Sequence, residues 1–455
     1  MKAIMHIDFN SYFATVEQQA NPRLRGKPIG VTGGDRMKRT VLGAASIEAK
    51  KFGVKTGMQI WQARQLCPQI ILVPGDSDKY LETTKRFINI LKDYSPYLEV
   101  FSIDECFLEL SQFVIPADAG IQLSNSANDY NGVTALADLD PVLRRDDNAI
   151  TVAKTIKTRI KAEIGEWITC SIGISYNKLM AKLAGSLQKP DGLVIIPNEE
   201  EAIKVLDKLP LDEICGIGYR IKNRLNKIGI FTFKQLRAVP INILLFEFKS
   251  YGQFLYDAAR GIDHTPITPF YEKEEVKSIG HRHTIDYDTD DQVEIKQIMF
   301  KLTELVARRL RIKKLVGKTV NFWFRNAFER AGVNVFHLEG GIASHQNFSG
   351  DGMQVTIQYT NDGLEIFKAA WNIFHQMWVG QKIRMVGVSI SNLRFNLSQN
   401  ISLLPDDHRT ELINKTLDEV NEKFGEFTLQ RGILLESVNI KRKPNSFLSD
   451  RRFKI

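Results

Sequence analysis

Alternation and helical spacing of the hydrophobic residues divide the first 200 positions into strands and helices. Residues 2–8 alternate and are rich in β-forming types, which predicts a strand that ends at Asp8. Apolar residues recur at every fourth position of the 151–164 segment, which predicts an amphipathic helix. The same criteria predict strands over 99–110, 167–175 and 193–196 and helices over 9–18, 41–52, 59–66, 78–91 and 178–187.

The periodic pattern is interrupted once and then resumes. Residues 113–150 are rich in Asn, Asp, Ser and Ala with weak periodicity, and we interpret them as a largely irregular insertion. Residues 199–261 are helical in pattern, and a polar linker with two prolines follows. A second β/α region then begins, with helices predicted over 295–306 and 410–424 and strands over 319–325, 354–358 and 386–391.

Length and composition are those of a globular protein. The chain has 455 residues, 43% of them hydrophobic and 25% charged, which excludes collagen-like, largely disordered and disulfide-scaffold classes. At roughly 150 residues per domain we expect about three domains. There is no long apolar run and no charged-then-apolar leader, so we expect a soluble, unexported, cytoplasmic protein. The four cysteines lie far apart, which is typical of reduced thiols.

Charge is segregated along the chain. The net charge is +8, yet residues 219–237 hold six basic residues and no acid, and residues 305–328 hold seven and no acid. Residues 439–455 add six basic residues against one Asp, so these three stretches carry +18 and the remainder about −10 by difference. Segregation of this kind predicts basic faces that meet a polyanion, and nucleic acid is the expected partner.

Three carboxylates are candidates for a metal site. Asp8 ends the first predicted strand, and Asp104 and Glu105 lie in the strand-like segment 99–110. Adjacent residues of a strand point to opposite faces, so Asp104 and Glu105 can share one site only if a turn or a strand end lies there. Such an oxygen-rich pocket suits Mg²⁺. Carboxylates at strand ends are common, however, and this pattern alone favours an ordinary structural role.

Four motifs that follow one another along the chain favour a metal site over an ordinary structural role. They are Asp8-Phe-Asn-Ser-Tyr-Phe-Ala-Thr-Val-Glu17, Ser46-Ile-Glu-Ala-Lys-Lys-Phe-Gly-Val54, Ser102-Ile-Asp-Glu105, and Gly173-Ile-Ser-Tyr-Asn-Lys-Leu-Met-Ala-Lys-Leu-Ala184 with Lys189-Pro-Asp-Gly192. Together they resemble the Y-family (DinB/UmuC class) DNA polymerases, which copy damaged templates. The resemblance is strong from residue 1 to about 265 and weaker to about 396.

The resemblance implies a multi-domain α+β fold arranged as a right hand. The palm would be a mixed sheet with helices, the fingers small and helical, the thumb helical with a helix-hairpin-helix, and the little finger α/β. The implied boundaries are palm 1–10 and 76–197 with the 113–150 insertion, fingers 11–75, thumb 198–265, linker 266–277, little finger 278–396 and C-terminal extension 397–455.

The resemblance also assigns roles to residues at the active site. Asp8, Asp104 and Glu105 match catalytic carboxylates that hold two Mg²⁺ ions, and the Phe9 carbonyl matches a further ligand. Phe13 matches the aromatic steric gate, which stands where a ribose 2′-hydroxyl would project. The residues implied to bind the incoming deoxynucleoside triphosphate are Asn10, Ser11, Tyr12, Phe13, Lys50 and Lys189.

One motif departs from the commoner family pattern. Many members have Tyr and Arg where this chain has Ile47 and Lys50. Lys50 keeps the charge without the bidentate fork of Arg, and Ile47 offers no hydrogen bond. We therefore expect the triphosphate to be held differently or less tightly here.

Two basic stretches are candidates for DNA contacts. Gly216 and Gly218 precede an acid-free basic helix and resemble a helix-hairpin-helix, in which the backbone approaches a phosphate at a helix N-terminus. Ile217, Ile221, Leu225 and Ile228 would be its buried stripe. The predicted DNA-binding residues are Gly216, Gly218, Arg220 and Lys222 in the thumb and Arg308, Arg309 and Arg311 in the little finger.

A short segment after the little finger loosely resembles the clamp-binding motif of bacterial members. Its residues are Gln399, Ile401, Leu403 and Leu404. An H-x-H pair, His281 and His283, has no further ligand evident in the sequence and indicates a structural or solvent-facing role.

These features predict a monomeric translesion DNA polymerase that uses Mg²⁺, primer-template DNA and deoxynucleoside triphosphates. The sliding clamp is a possible partner, and a membrane is not expected. Two alternatives stay open: a non-catalytic DNA-binding or clamp-docking protein on the same fold, and a nucleotidyl cyclase.

Overall fold

The chain divides into two compact units in the computed structural model. The structure describes residues 3–33, 41–110, 141–272, 275–327, 350–396, 405–425 and 427–434. The first unit comprises the described residues up to 272, and the second comprises those from 275 onward.

A five-stranded sheet is the centre of the first unit, with strand order β5-β6-β1-β7-β8. The β7–β8 pair is parallel and the other pairs are antiparallel. The described strands of this unit are β1 (Ala3–Phe9), β2 (Ile29–Thr32), β3 (Leu42–Ala45), β4 (Ile71–Pro74), β5 (Leu98–Ser102), β6 (Glu105–Leu110), β7 (Cys170–Ser175) and β8 (Leu193–Ile196).

Helices pack against this sheet and then continue without further strands to the end of the unit. The first group is α1 (Tyr12–Ala20), α2 (Ile47–Lys51), α3 (Ile60–Leu66), α4 (Ser77–Lys92), α5 (Pro141–Glu163) and α6 (Lys178–Leu187). The second group, α7 (Glu199–Leu206), α8 (Tyr219–Lys227), α9 (Phe233–Ala238), α10 (Ile241–Phe248) and α11 (Tyr251–Ala258), confirms the predicted all-helical segment.

Several predictions for the first unit were wrong in part. The 99–110 segment is two strands, because residues 103 and 104 form a turn between β5 and β6. The 113–150 segment is not irregular throughout, because α5 begins at Pro141 and extends the predicted helix by ten residues. The rest of that predicted insertion lies outside the described residues.

The region expected to be small and helical contains a second sheet. Strands β3, β2 and β4 form it in that order, although residues 41–52 were predicted as helix. Gly30 pairs with Ala45 and Val31 with Ala44, so pairing with β2 overrides the local helical spacing. Ser46 then ends the strand and begins α2, its hydroxyl accepting from the Ala49 amide.

The second unit is a four-stranded sheet covered on one face by two long helices. Strand order is β11-β10-β12-β9, and Phe322, Val388 and Ile390 point from the sheet into the shared core. Of the regular elements here, the helix over 363–377 and the strands over 278–289 and 394–395 were not predicted. The elements are β9 (Ser278–Thr289), α12 (Gln292–Ile312), β10 (Leu315–Asn326), β11 (Gly350–Thr360), α13 (Gly363–Met377), β12 (Ile383–Ser391), β13 (Arg394–Phe395) and α14 (Pro405–Phe424).

The chain beyond the predicted little finger packs onto this unit. Leu434 is 2% exposed and belongs to the core that α12 and α13 form with the sheet, and Phe427 packs against that core. The Arg311 guanidinium binds both carboxylate oxygens of Asp418 on α14, at 2.6 and 2.8 Å. The described part of the C-terminal extension is thus folded structure.

None of the helices in the described ranges combines the length and apolar character needed to cross a bilayer.

Candidate active site

Asp8 and Glu105 lie side by side on two neighbouring strands. They are directly paired in the antiparallel register of β1 and β6, so both side chains leave the same face of the sheet. Asp104 precedes Glu105 in the turn, and its carbonyl accepts a hydrogen bond from the Phe9 amide at 3.0 Å. The strand end that the sequence argument required is therefore present.

A histidine joins the two paired carboxylates. His6, Asp8 and Glu105 each offer a ligand atom, and these atoms lie within 4.8 Å of one another. His6 Nε2 is 2.6 Å from Glu105 Oε1, and the Lys182 ammonium of α6 binds the same oxygen. Burial lowers the pKa of His6. For Glu105 burial raises the pKa, but the His6 hydrogen bond and the nearby Lys182 charge outweigh it and lower the pKa to about 2.

Asp104 lies beside this pair without joining the group of three. The Ser102 hydroxyl donates a hydrogen bond to Asp104 Oδ1. Burial raises the pKa of Asp104, and the negative charges of Asp8 and Glu105 add to the increase. A cation next to these carboxylates would relieve that repulsion.

Two lysines approach the carboxylates from different elements. Lys189 Nζ is 2.6 Å from Asp8 Oδ1. Lys50, in α2, has a lowered pKa through desolvation and the charge of Lys189, opposed by Asp8 and Asp104. The structure therefore places Lys50 and Lys189, predicted to bind triphosphate, within the electrostatic influence of Asp8.

The start of α1 borders the carboxylates. Ser11 has a left-handed backbone with φ 50°, and its buried hydroxyl has no hydrogen-bond partner among the described residues. Asn10 fixes the Lys189 turn, because Asn10 Oδ1 accepts from the Asp191 amide at 2.8 Å. The α1 amides are thus held close to the turn that carries Lys189.

Phe13 and Tyr12 have different surroundings. The Phe13 ring stacks on Tyr80 with centroids 4.4 Å apart and is 6% exposed. The Tyr12 hydroxyl donates to the Tyr80 carbonyl at 2.8 Å and contacts Thr84, which makes Tyr12 a buried anchor of α1. Ile47 is the first residue of α2.

Sequence reasoning missed His6 and Lys182. The signal for His6 was available, because a residue two positions before Asp8 in a strand shares its face. Lys182 lies in the motif over 173–184, but its contact with Glu105 depends on how closely α6 packs on the sheet.

The helix-hairpin-helix residues adopt the predicted geometry. Gly216 has φ +104°, and a Cβ there would lie 2.7 Å from the Phe254 ring. Gly218 is the N-cap of α8, and Arg220 is exposed on the first turn. Lys222 forms an ion pair of 2.8 Å with Asp212.

The predicted buried stripe of α8 needs one correction. Ile217 and Leu225 are buried, but Ile228 is 39% exposed. Gly229, with φ +83°, turns the chain after the helix so that Ile230 enters the core instead.

The three predicted arginines of α12 do not form one DNA-facing row. Arg311 binds Asp418 and the Asn361 carbonyl, and Arg309 donates to the Gly280 carbonyl at 2.9 Å. Arg308 lines a cleft between α12 and the C-terminal segment. Their predicted contact with DNA stays a prediction; α12 covers the core face of the sheet, and Arg311 holds α14.

The opposite face of that sheet has a distinct composition. Its four cross-strand rows contain mainly small, polar and basic residues with Trp323 and Met385, and none of the four rows contains a carboxylate; Asp286 and Asp288 follow further along β9. Burial and the positive charges of Arg282 and Arg384 lower the pKa of Arg325. The rows are Ser278, Ser391, Thr319 and Thr356; Gly280, Ser389, Asn321 and Gln354; Arg282, Gly387, Trp323 and Gly352; and Thr284, Met385, Arg325 and Gly350.

Gln399, Ile401, Leu403 and Leu404 of the predicted clamp motif lie outside the described residues. His281 and His283 lie in β9, opposite Val388 and Val386, and the His281 ring contacts Arg309.

Comparison with known proteins identifies the class that this fold and site define. Residues 7–186 match the impB/mucB/samB family, 276–403 match its C-terminal domain, and 212–263 match the DNA polymerase-iota thumb domain. The chain is 32% identical to a DNA polymerase IV from Pelotomaculum thermopropionicum, covering 97% of both chains. It is also 32% identical to a DNA polymerase IV from Moorella thermoacetica, covering 96% of this chain and 97% of that one.

A solved structure has the same fold. A Y-family DNA polymerase chimera aligns with a TM-score of 0.65 at 24% identity, over 87% of this chain and all of the chimera. The chain therefore belongs to the impB/mucB/samB family of Y-family DNA polymerases. The predicted family and fold class are confirmed.

Proposed function

We propose that this protein is a template-directed DNA polymerase of the translesion type. The observation that carries the proposal is the convergence of Asp8 and Glu105 on paired strands with Lys189 at 2.6 Å from Asp8. Carboxylates for divalent cations and a lysine for phosphates are the groups that nucleotidyl transfer requires. The DNA polymerase IV relatives support the same activity.

Divalent ions fit this donor set. The carboxylates of Asp8, Asp104 and Glu105 are hard oxygen ligands, and their mutual repulsion is only partly offset by Lys182 and Lys189. We propose two Mg²⁺ ions, held by the three carboxylates and the Phe9 carbonyl. Bound there, the ions would lower the pKa of the primer 3′-hydroxyl and neutralise the triphosphate.

The reaction would be an in-line displacement. The primer 3′-hydroxyl would lose its proton to solvent and its oxygen would form a bond to the α-phosphorus of the deoxynucleotide, while the bond to the pyrophosphate oxygen breaks and pyrophosphate leaves. Lys189 would move from Asp8 to the triphosphate, and Lys50 would add a second positive charge. The α1 amides over Asn10, Ser11, Tyr12 and Phe13 would donate to phosphate oxygens, since a helix N-terminus favours anions. The unpartnered Ser11 hydroxyl is a further donor.

Phe13 would select the sugar. Its ring is held against Tyr80 at the start of α1, next to the proposed phosphate site. A ring fixed in this way excludes a 2′-hydroxyl by contact. We propose that Phe13 is the steric gate.

DNA would contact two surfaces. In the thumb, the Gly216 to Gly218 hairpin and the N-terminus of α8, with Arg220 and Lys222, would meet backbone phosphates. In the second unit, the open face of the sheet around Arg282 and Arg325 would do so, because the paired rows that hold these two arginines contain no carboxylate. Arg308 stays a candidate contact, whereas Arg309 and Arg311 already bind groups within the protein.

We propose the domain division of a right hand: palm over 1–10 and 76–197, fingers over 11–75, thumb over 198–265, linker over 266–277 and little finger over 278–396. The clamp-binding role of 399–404, a monomeric state and action on DNA in the bacterial cytoplasm are proposed with it.

A primer-extension assay with Mg²⁺ tests the function. Extension by the parent chain that is lost in Glu105→Ala, with DNA affinity retained, would support it. Glu109→Gln is the control, because Glu109 is equally buried on β6 but lies four residues away. Well-folded parent protein that binds DNA without extension would favour the non-catalytic alternative, and cyclic product from a nucleotide without primer would favour the cyclase.

A further inference from the structure

We propose that His6 is a positioning residue for Glu105. It holds one carboxylate oxygen of Glu105, so that the other oxygen is the one presented to a divalent cation beside Asp8. This inference rests on the function proposed above and deepens it, because it concerns how the metal ligand is oriented.

The contact is buried and short. His6 and Asp8 are two positions apart in β1, so their side chains leave the same face of the sheet. Asp8 pairs with Glu105 on β6. His6 Nε2 is 2.6 Å from Glu105 Oε1, and the His6 residue is 2% exposed. Its ring packs on Phe107 with centroids 4.7 Å apart, which restricts rotation of the imidazole.

The surroundings define which ring nitrogen carries the proton. Nδ1 is buried and has no hydrogen-bond partner among the described residues. A proton on Nδ1 would be buried without an acceptor, whereas a proton on Nε2 is donated to Glu105 Oε1. The neutral ring is therefore a donor to the carboxylate and does not present a lone pair at Nε2 to a metal.

Two glycines allow a second group to reach the same oxygen. Gly173 pairs with His6 across β1 and β7 and lies against Gly185 of α6. A Cβ at Gly185 would lie 2.9 Å from His6 Nδ1, so α6 can approach the ring only with glycine there. One turn earlier on α6, Lys182 forms an ion pair with Glu105 Oε1.

Both contacts from the protein thus converge on Oε1. No hydrogen bond from the described residues reaches Oε2. Partners that orient a metal ligand in this way typically alter metal affinity by about 10- to 100-fold when removed. The competing explanation is that His6 is itself a ligand, which would favour Zn²⁺ over Mg²⁺.

Metal binding without turnover tests the proposal. The full chain is bound to a dideoxy-terminated primer-template and the matching deoxynucleotide, and Mn²⁺ is titrated by electron paramagnetic resonance. We expect His6→Leu and His6→Asn to raise the Mn²⁺ Kd at least about tenfold. His6→Gln should stay within about threefold of the parent, since the Gln amide nitrogen can replace Nε2, whereas that of Asn is too short.

A matched control is available on the same helix. Lys178→Met removes a partly buried lysine of α6 whose partner is Glu99, and it should leave the Mn²⁺ Kd unchanged. Thermal unfolding and DNA affinity of each variant separate loss of fold from loss of orientation. If His6→Leu does not fold, the comparison of His6→Gln with His6→Asn still decides.

Three outcomes would overturn the proposal. A Mn²⁺ affinity equal to that of the parent in both His6→Leu and His6→Asn would mean that His6 contributes only to packing. An affinity in His6→Gln as low as in His6→Asn, together with Zn²⁺ binding by the parent that both variants lose, would make His6 a ligand. Parent binding that is insensitive to Asp8→Ala would refute the metal site itself, and with it the proposed function.

Discussion

Lys189 Nζ lies 2.6 Å from Asp8 Oδ1, so a group expected to bind phosphate is paired with a group expected to bind metal. The Lys189 side chain is 41% exposed and that of Asp8 22% exposed, which leaves the pair accessible to a nucleotide. A triphosphate with bound cations can break this pair by replacing both contacts at once. Its phosphate oxygens bind the lysine, and its cations bind the carboxylate.

Lys189→Met should raise the KM for deoxynucleotides about tenfold, since a hydrogen bond to a charged group is worth roughly 1.5–3 kcal/mol. Steady-state primer extension measures it. Lys161→Met is the control, because Lys161 binds Asp191 of the same turn but lies away from Asp8. An unchanged KM in Lys189→Met would remove this lysine from the triphosphate site.

Phe13→Ala should lower the discrimination against ribonucleotides by at least about tenfold, because a few van der Waals contacts with a 2′-hydroxyl amount to over 1 kcal/mol. The ratio of kcat/KM for matched deoxy- and ribonucleotides measures it. Loss of a buried ring also destabilises the fold by about 3–5 kcal/mol, so Phe13→Leu is a gentler second variant. Unchanged sugar selectivity in both would contradict the gate.

Gly216→Ala and Gly218→Ala should behave differently. A Cβ at Gly216 would meet Phe254 and the Tyr251 hydroxyl at 2.7 and 2.9 Å, at a φ of +104°. For Gly216→Ala we expect a loss of about 1–3 kcal/mol in unfolding free energy and weaker DNA binding. Gly218 has φ −81° and open space around it, so its substitution should change stability by less than about 1 kcal/mol. Equal effects would refute the hairpin geometry.

Arg282→Gln with Arg325→Gln should weaken DNA binding and reduce the slope of log affinity against log salt by up to about 2, since each lost phosphate contact releases about one counterion fewer. Fluorescence anisotropy over a salt series measures both. An unchanged slope would exclude the open sheet face as a phosphate-binding surface.

Asp418→Asn should loosen the C-terminal segment without changing that salt slope. Arg311 would lose its bidentate partner, at about 1–3 kcal/mol. Limited proteolysis within α14 and thermal unfolding report the change. Arg311→Met should give the same effect, and the double variant should cost little more than either single change. Additive losses would mean that the two residues do not act as a pair.

Much of the fold was predictable because its signals are local. The strand before Asp8, the α6 helix and the helical segment around α8 follow from alternation, spacing and capping. The strand β3 was not predictable, because Leu42 to Ala45 becomes extended only by pairing with β2. Helix α13 was missed although Asp362 caps it and its buried residues keep helical spacing, whereas the packing of Leu434 depends on distant residues of the same core.

The order of the motifs, the segregated charge and the choice of Asp8, Asp104 and Glu105 as candidates follow from residue type and spacing. The meeting of His6 and Lys182 on one oxygen of Glu105, and the contact by which Arg311 holds α14, follow only from the folded chain. Such pairings join residues about 80 to 110 positions apart, and their geometry depends on strand register and close helix packing, which no local pattern encodes.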